Sequence, residues 1–169
     1  MPLPEEAGPV SVVPVDLEAK VLTVSDSVHD GTREDRSGPA LSATLERHGF
    51  AVVDHDVVAD GLVAVATALR RLSAGFHGLV ATTGGTGFSP SDLTPEATRG
   101  VLDREAPGLA EAIRACSPLG RLSRGVAGTL GPCLIVNLPG STTGAVESIE
   151  AIIDVVPHAL TLLDGGQPH

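Results

Sequence analysis

Residues 77 to 98 read HGLVATTGGTGFSPSDLTPEAT, and the choice of fold turns on this stretch. HGLVATT is apolar on both faces of an extended chain, which marks a central strand covered on both sides. Gly84, Gly85 and Gly87 follow, and Thr94 and Pro95 then stand where a helix takes its N-cap and first residue. A buried strand, a bare loop and a helix in that order are half of a βαβ unit, so the sheet is expected to be largely parallel.

The same alternation extends in both directions. Upstream, AKVLTVS (19–25) reads as a strand and SGPALSATLERHG (37–49) as a helix, with Pro39 in its first turn, Leu41 and Leu45 inward and Gly49 as its stop. FAVVDHDVV (50–58) is a second strand, in which Asp54 and Asp56 at alternate positions suggest an edge with one wetted face. Residues 61–73 place Leu62, Val65, Ala66, Leu69 and Leu72 on one helical stripe. Downstream, TPEATRGVLD and residues 107–115 are helical. LSRGVAGTLGPCLIVNLPG holds two strands around a Gly131-Pro132 turn. A last helix over 141–163 carries Val146, Ile149, Ile152, Ile153 and Val156 on one stripe and bends at Pro157.

At 169 residues the chain suits one domain. Residues 19–163 form that domain, 1–18 an N-terminal arm broken by Pro2, Pro4, Pro9 and Pro14, and 164–169 a tail. The arm has neither the basic start of a signal peptide nor the length of a membrane span. Eleven basic residues stand against 21 acidic ones, for a net charge of −10, and the arginines are scattered. With three Phe and no Trp or Tyr, neither a basic stripe nor a stacking platform is available for nucleic acid. Cys116 and Cys133 form no CxxC and the His residues no ligand spacing, which reads as reduced thiols in a cytoplasmic protein without a zinc site.

Three apolar strands run into polar or glycine-rich turns: Ser25-Asp26-Ser27, Thr82 to Gly87, and Asn137-Leu138-Pro139-Gly140-Ser141. In an open parallel sheet these carboxyl ends share one edge, where such folds bind ligands, so the turns are expected to converge. Glycine-rich turns at helix starts suit an anion, and a phosphate is the expected guest. The chain has neither a Gly-Lys pair for a Walker loop, Lys20 being its one lysine, nor the third glycine of a dinucleotide fingerprint. Asp92 has two readings. It can close a capping box with Ser89, or hold Mg²⁺ beside bound phosphates. Asp60, before Gly61, is either a turn residue or the second carboxylate of that metal site. No covalent nucleophile set is evident, which leaves phosphoryl or nucleotidyl transfer with a metal.

TTGGTG, DLTPEAT, DREAPGLAEAIR, LSRGVAG and NLPGS, in that order, resemble the MogA/MoaB family of molybdenum-cofactor biosynthesis, whose fold also occurs in gephyrin and the plant enzyme Cnx. The resemblance spans residues 19 to 163. It implies a three-layer α/β/α sandwich with a mostly parallel mixed sheet, a homotrimer, and molybdopterin as ligand. Members of the MogA type adenylylate molybdopterin with Mg-ATP and release pyrophosphate, handing the product to a molybdenum-inserting partner. On this resemblance Asp60 and Asp92 are catalytic and hold Mg²⁺. Ser25, Asp26, Thr82, Thr83, Gly84, Gly85, Thr86, Gly87, Thr94, Asn137, Pro139, Gly140 and Ser141 bind the pterin and ATP. Arg33, Arg36 and Arg124 are weaker candidates for offsetting anionic charge. The alternatives are a non-catalytic molybdopterin-binding protein of the MoaB type and a nucleotide-pyrophosphate hydrolase of the competence-damage-inducible kind; the intact TTGGTG and TPEA argue against the latter.

Overall fold

A strand apolar on both faces is stable only between two covered layers, and the strand Leu79–Thr83 is buried at every position. The computed structural model describes residues 16–166. The first fifteen residues of the expected arm and the last three of the tail lie outside them. Six strands, β1 (Glu18–Val24), β2 (Ala51–Val58), β3 (Leu79–Thr83), β4 (Arg104–Glu105), β5 (Ala127–Leu130) and β6 (Cys133–Leu138), form one sheet in the order β2-β1-β3-β6-β5-β4. β2, β1, β3 and β6 run parallel, while the hairpin at Gly131-Pro132 makes β5 antiparallel to β6, and β4 is antiparallel to β5.

Seven helices accompany the strands: α1 (Asp26–His29), α2 (Ser37–Arg47), α3 (Leu62–Ser73), α4 (Thr94–Val101), α5 (Pro107–Ala115), α6 (Thr142–Glu150) and α7 (Val156–Leu163). Alternate residues of β1 point to opposite faces, so the sheet divides the interior into two cores. Ala19 and Val21 join Leu41 and Leu45 of α2, Ile113 of α5, Ile149 of α6 and Leu160 of α7. Leu22 and Val24 join Val65, Leu69 and Leu72 of α3 and Ala97 and Val101 of α4 on the other side. The architecture is therefore the expected three-layer α/β/α sandwich.

Several local expectations are corrected. Leu62 begins the α3 stripe in sequence but is 48% exposed, because the helix opens there and turns inward only from Val65. Asp56 lies on the edge strand and is partly open to water as expected, and it also pairs with Arg71 of α3. The expected single helix over 141–163 is two. Pro157 sits in the first turn of α7, where its missing N–H costs nothing, so it starts a helix instead of bending one. Thr94 is the first residue of α4 and not its cap. Leu93 holds the cap position, and the Thr94 hydroxyl donates instead to Gly84 O at 3.0 Å. The two-residue strand β4, the single turn α1 and a 3₁₀ turn at Pro118–Leu122 are too short for any periodic signal.

The chain leaves β1 into α2 on one face and leaves β3 into α4 on the other, which opens a crevice between their carboxyl ends. The floor of this crevice is pinned by Asn137, which is 1% exposed. Its Nδ2 donates to Thr82 Oγ1 at 3.1 Å and Thr98 Oγ1 at 2.9 Å, while its Oδ1 accepts the Val126 N–H at 3.1 Å. One side chain thus joins β3, α4, β5 and β6. Asn137→Leu would leave these buried groups without partners. We expect it to lower unfolding free energy in urea by about 3 kcal/mol.

Candidate functional site

The three turns do converge. A central cavity of about 410 Å³ is lined by Ser25 at the end of β1, Thr83, Gly84 and Gly85 at the end of β3, Gly140 and Ser141 after β6, and both Asp60 and Asp92. Gly140 and Ser141 also border two flanking lobes. One, of about 490 Å³, lies toward α5 and the 3₁₀ turn, and the other, of about 420 Å³, toward the start of α2. The three spaces make one groove along the carboxyl edge of the sheet.

Asp26 and Asp60 face each other in a reciprocal bracket: Asp26 N–H donates to Asp60 Oδ2 and Asp60 N–H donates to Asp26 Oδ1, each at 3.0 Å. This closes the turn after β2 onto the turn after β1, and it fixes the Asp60 carboxylate at the groove. Burial raises the Asp60 pKa above the ordinary carboxylate value. The Asp26 N–H opposes that shift, and the negative charges of Asp26 and Asp92 add to it. Like charges gathered in this way lower the cost of bringing in a cation. Among the described residues no three His, Cys, Asp or Glu side chains lie close enough to hold an ion by themselves. The donor set therefore fits a hard cation that takes two carboxylates from the protein and its other oxygens from phosphates, as Mg²⁺ does.

Asp92 reaches back to accept the Ser89 N–H at 3.0 Å, and its own N–H donates to Ser89 O at 2.9 Å. Only the carboxylate half of a capping box is present, since the Asp92 N–H goes to the Ser89 carbonyl and not to its hydroxyl; no helix begins at Ser89 and the pair closes a turn instead.

The loop's glycines are required first by the protein itself. Gly84 has φ +106°, and a Cβ there would stand 2.2 Å from Val24 O. Gly85 has φ +67°, and its Cβ would lie 2.3 Å from Thr94 Oγ1 and 3.2 Å from Asp60 Oδ1. Such positive φ angles and approaches exclude a side chain at both positions. The Gly84 N–H is already given to Leu138 O at 3.1 Å. Those of Gly85, Thr86 and Gly87 donate to no acceptor among the described residues. These three are the loop's available anion donors.

Arg124 buckles the loop from outside. Its backbone N–H donates to Thr86 O at 2.8 Å, its Nε to Gly87 O at 2.8 Å, and one terminal nitrogen to Asp92 O at 2.5 Å. The same guanidinium pairs with Glu96 of α4 and holds that carboxyl below the ordinary range. Its charge is thus spent inside the protein, and the expectation that it offsets substrate charge gives way to a structural role. No residue spacing in LSRGVAG announces that role.

The other candidates fall into two layers. Ser25, Thr83, Gly84, Gly85, Thr86, Gly87, Pro139, Gly140 and Ser141 line the groove with the two carboxylates. Asp26 borders it through its bracket with Asp60. Thr82, Thr94 and Asn137 are buried beneath, with their polar groups engaged inside the protein. Arg33 and Arg36 line the lobe beside α2 together with Ser37, which sequence reasoning did not single out. Also unforeseen is a cluster under that lobe. Thr23 Oγ1 donates to Asp35 Oδ2 at 2.8 Å, and His55 Nε2 lies 3.0 Å from Thr23 Oγ1 and 3.2 Å from Asp35 Oδ2. The hydroxyl has already given its proton to Asp35, so Nε2 is the protonated nitrogen. Thr23, Asp35 and His55 are too far apart in sequence to form a motif.

With this geometry, the chain matches the model of a family described as a probable molybdopterin binding domain over residues 20–158. It is 35% identical over 152 residues to a molybdopterin adenylyltransferase of Helicobacter pylori, covering 86% of each chain. It is 37% identical over 150 residues to the molybdenum cofactor synthesis protein cinnamon of Drosophila melanogaster, covering 85% of this chain but only 25% of that longer protein. The crystal structure of the molybdopterin biosynthesis enzyme MoaB from Thermus thermophilus superimposes with a TM-score of 0.83 at 45% identity, covering 88% of this chain and 97% of that one. A family match over most of the chain, with this shared fold, makes the protein a member of the MogA/MoaB family of molybdopterin-binding domains.

Proposed function

We propose that the protein is a molybdopterin adenylyltransferase that uses Mg-ATP. The observation that carries this reading is the placing of Asp60 and Asp92 on one cavity with the glycine loop and the start of α6, in a chain similar over its length to a molybdopterin adenylyltransferase. A groove of three connected lobes suits two substrates lying end to end.

In this reaction a terminal phosphate oxygen of molybdopterin attacks the α-phosphorus of ATP. The bond from that phosphorus to the bridging oxygen breaks, and pyrophosphate leaves with the electron pair. A phosphate monoester is largely dianionic at neutral pH, so the nucleophile needs no general base. The protein's work is positioning and charge compensation. The N–H groups of Gly85, Thr86 and Gly87 and those at the N-terminus of α6 donate to phosphate oxygens. Asp60 and Asp92 would hold Mg²⁺, which supplies neutralisation of charge on the reacting phosphates. Thr82, Thr94 and Asn137 act beneath this layer by fixing the loops. A homotrimer, a cytoplasmic location and a molybdenum-inserting partner belong to the same reading and rest on family membership; the described residues contain no helix long and apolar enough to cross a membrane.

Pyrophosphate release in the presence of molybdopterin, ATP and Mg²⁺ tests the proposal. Asp92→Asn is expected to reduce it by about a hundredfold or more while the circular dichroism spectrum stays unchanged. Molybdopterin binding without nucleotide turnover in the unaltered protein would instead identify a non-catalytic binding member.

Asp60 gives a second prediction through its raised pKa. A carboxyl that binds its proton more tightly folded than unfolded contributes most at low pH, and that contribution is lost as pH rises through its folded value. Asp60→Asn removes the loss and can keep accepting the Asp26 N–H. Its Tm at neutral pH is expected to exceed that of the unaltered protein, although turnover is abolished. A lower Tm would show that the Asp26–Asp60 bracket outweighs the repulsion.

A further inference from the structure

The lobe at the start of α2 takes no part in the carboxylate chemistry, yet it has the features of a built anion site. Ser37 is 8% exposed, and its hydroxyl makes no hydrogen bond with any described residue. It is not sealed, since among the described residues only the Ser73 hydroxyl is fully enclosed without a partner. Ser37 opens on both this lobe and the central cavity. A hydroxyl with no protein partner that opens on a cavity is free to bond water or a guest there.

Arg33 borders the same two spaces, and its guanidinium has no ion-pair partner among the described residues. Arg36 is held only by Glu34 at 3.6 Å, with both side chains 78% exposed, so that pair opens at little cost. The N-termini of two helices, α2 of eleven residues and α6 of nine, meet here. The N–H groups of Ser141 and Thr142 donate to no described residue. The lobe's acids are Glu34 and Asp35, and the carboxylate of Asp35 is engaged within the protein. Its Oδ1 accepts the Gly38 N–H at 3.0 Å, and its Oδ2 accepts from Thr23 and His55. The lobe's two arginines are matched by two acids, of which Glu34 is held loosely and Asp35 is engaged elsewhere, and the helix N-termini add partial positive charge.

We propose that this lobe seats the two terminal phosphates of the nucleotide, the pair that departs as pyrophosphate, with the Ser37 hydroxyl and the Arg33 guanidinium as direct ligands. The assignment rests on the adenylyltransferase reading for the identity of the anion, and on the lobe's own chemistry for its place. Arg33, Ser37, Gly140 and Ser141 line both lobe and central cavity, so a chain of phosphates can run from the carboxylates into it without a break.

The test uses the full chain and inorganic pyrophosphate with Mg²⁺, followed by calorimetry. Ser37→Ala, nearly isosteric, and Arg33→Gln are each expected to weaken pyrophosphate binding and raise KM for Mg-ATP about tenfold. The molybdopterin KM should hold, whereas kcat falls as well, because negative charge builds on the departing pyrophosphate in the transition state. Ser37→Thr, which keeps the hydroxyl, is expected to restore binding. Pyrophosphate affinity equal to the unaltered protein in both loss variants would overturn the proposal. So would a rise confined to the molybdopterin KM, which would place that substrate's phosphate in the lobe. If no adenylyl transfer occurs but Ser37→Ala still loses pyrophosphate, the lobe is a diphosphate site and the adenylyltransferase reading alone fails.

Discussion

The close pass of Gly84 against the end of β1 is the contact on which the site depends. A Cβ would sit 2.2 Å from Val24 O, so the carboxyl ends of β1 and β3 can touch only because Gly84 has no side chain. The same residue gives its N–H to Leu138 O at the end of β6 and receives the Thr94 hydroxyl of α4 on its carbonyl. Three strands and a helix are thereby referenced to the two peptide units that flank one residue. The positions of Ser25, Gly85 and Ser141 relative to one another follow from those units rather than from any direct contact among them. Rigid loops at a crevice are what a transfer between two bound phosphates needs, because misplacement of the reacting atoms by an ångström is costly.

An acidic protein that binds polyanions has to solve an electrostatic conflict locally. Asp26, Asp60 and Asp92 bring negative charge together at the centre of the groove, where burial first and then the neighbouring carboxylates raise the Asp60 pKa. A cation there relieves the protein's own repulsion as well as the substrate's. At the flanks, compensation comes from unpaired N–H groups and helix dipoles, whose partial charges need no counter-ion when the groove is empty. Arg124, by contrast, is consumed by Glu96 and by loop carbonyls.

The layered fold was legible because it rests on periodicity. β3 and β6, buried at every position, and the stripes of α2 and α3 are long enough for their apolar pattern to show. The edges were not, since a two-residue strand such as β4 exists only because β5 is there to pair with it. Pro157 illustrates a different limit. A proline is compatible with both a bend and a fresh start, and only the packing of Ile152 and Val156 into one core decides between them. At the site, residue types identified the groove but not its depth. Thr82 and Thr83 are adjacent in sequence, yet strand alternation sends the first into the Asn137 network and the second toward the groove, where its hydroxyl donates to Pro139 O at 2.7 Å. Pleat direction, which a glycine-rich motif does not specify, made the difference.

Sequence reasoning singled out Arg33 and Arg36 of the lobe beside α2 but not the Thr23, Asp35 and His55 cluster beneath it. Its members come from β1, the turn before α2, and β2, and they meet only because β1 and β2 pair in a register that sets Val21 beside His55. Gly38 leaves room for the imidazole, as its Cβ would come within 2.4 Å of His55 Nε2. That glycine lets the first turn of α2 lie flat on the sheet edge, and this in turn aims Ser37 at the groove and draws the Asp35 charge away from it. In sequence, the Ser-Gly-Pro run reads as an ordinary helix start. In the fold, Ser37 is the first residue of the helix and not its cap, Arg36 holds the cap position, and Asp35 accepts the Gly38 N–H.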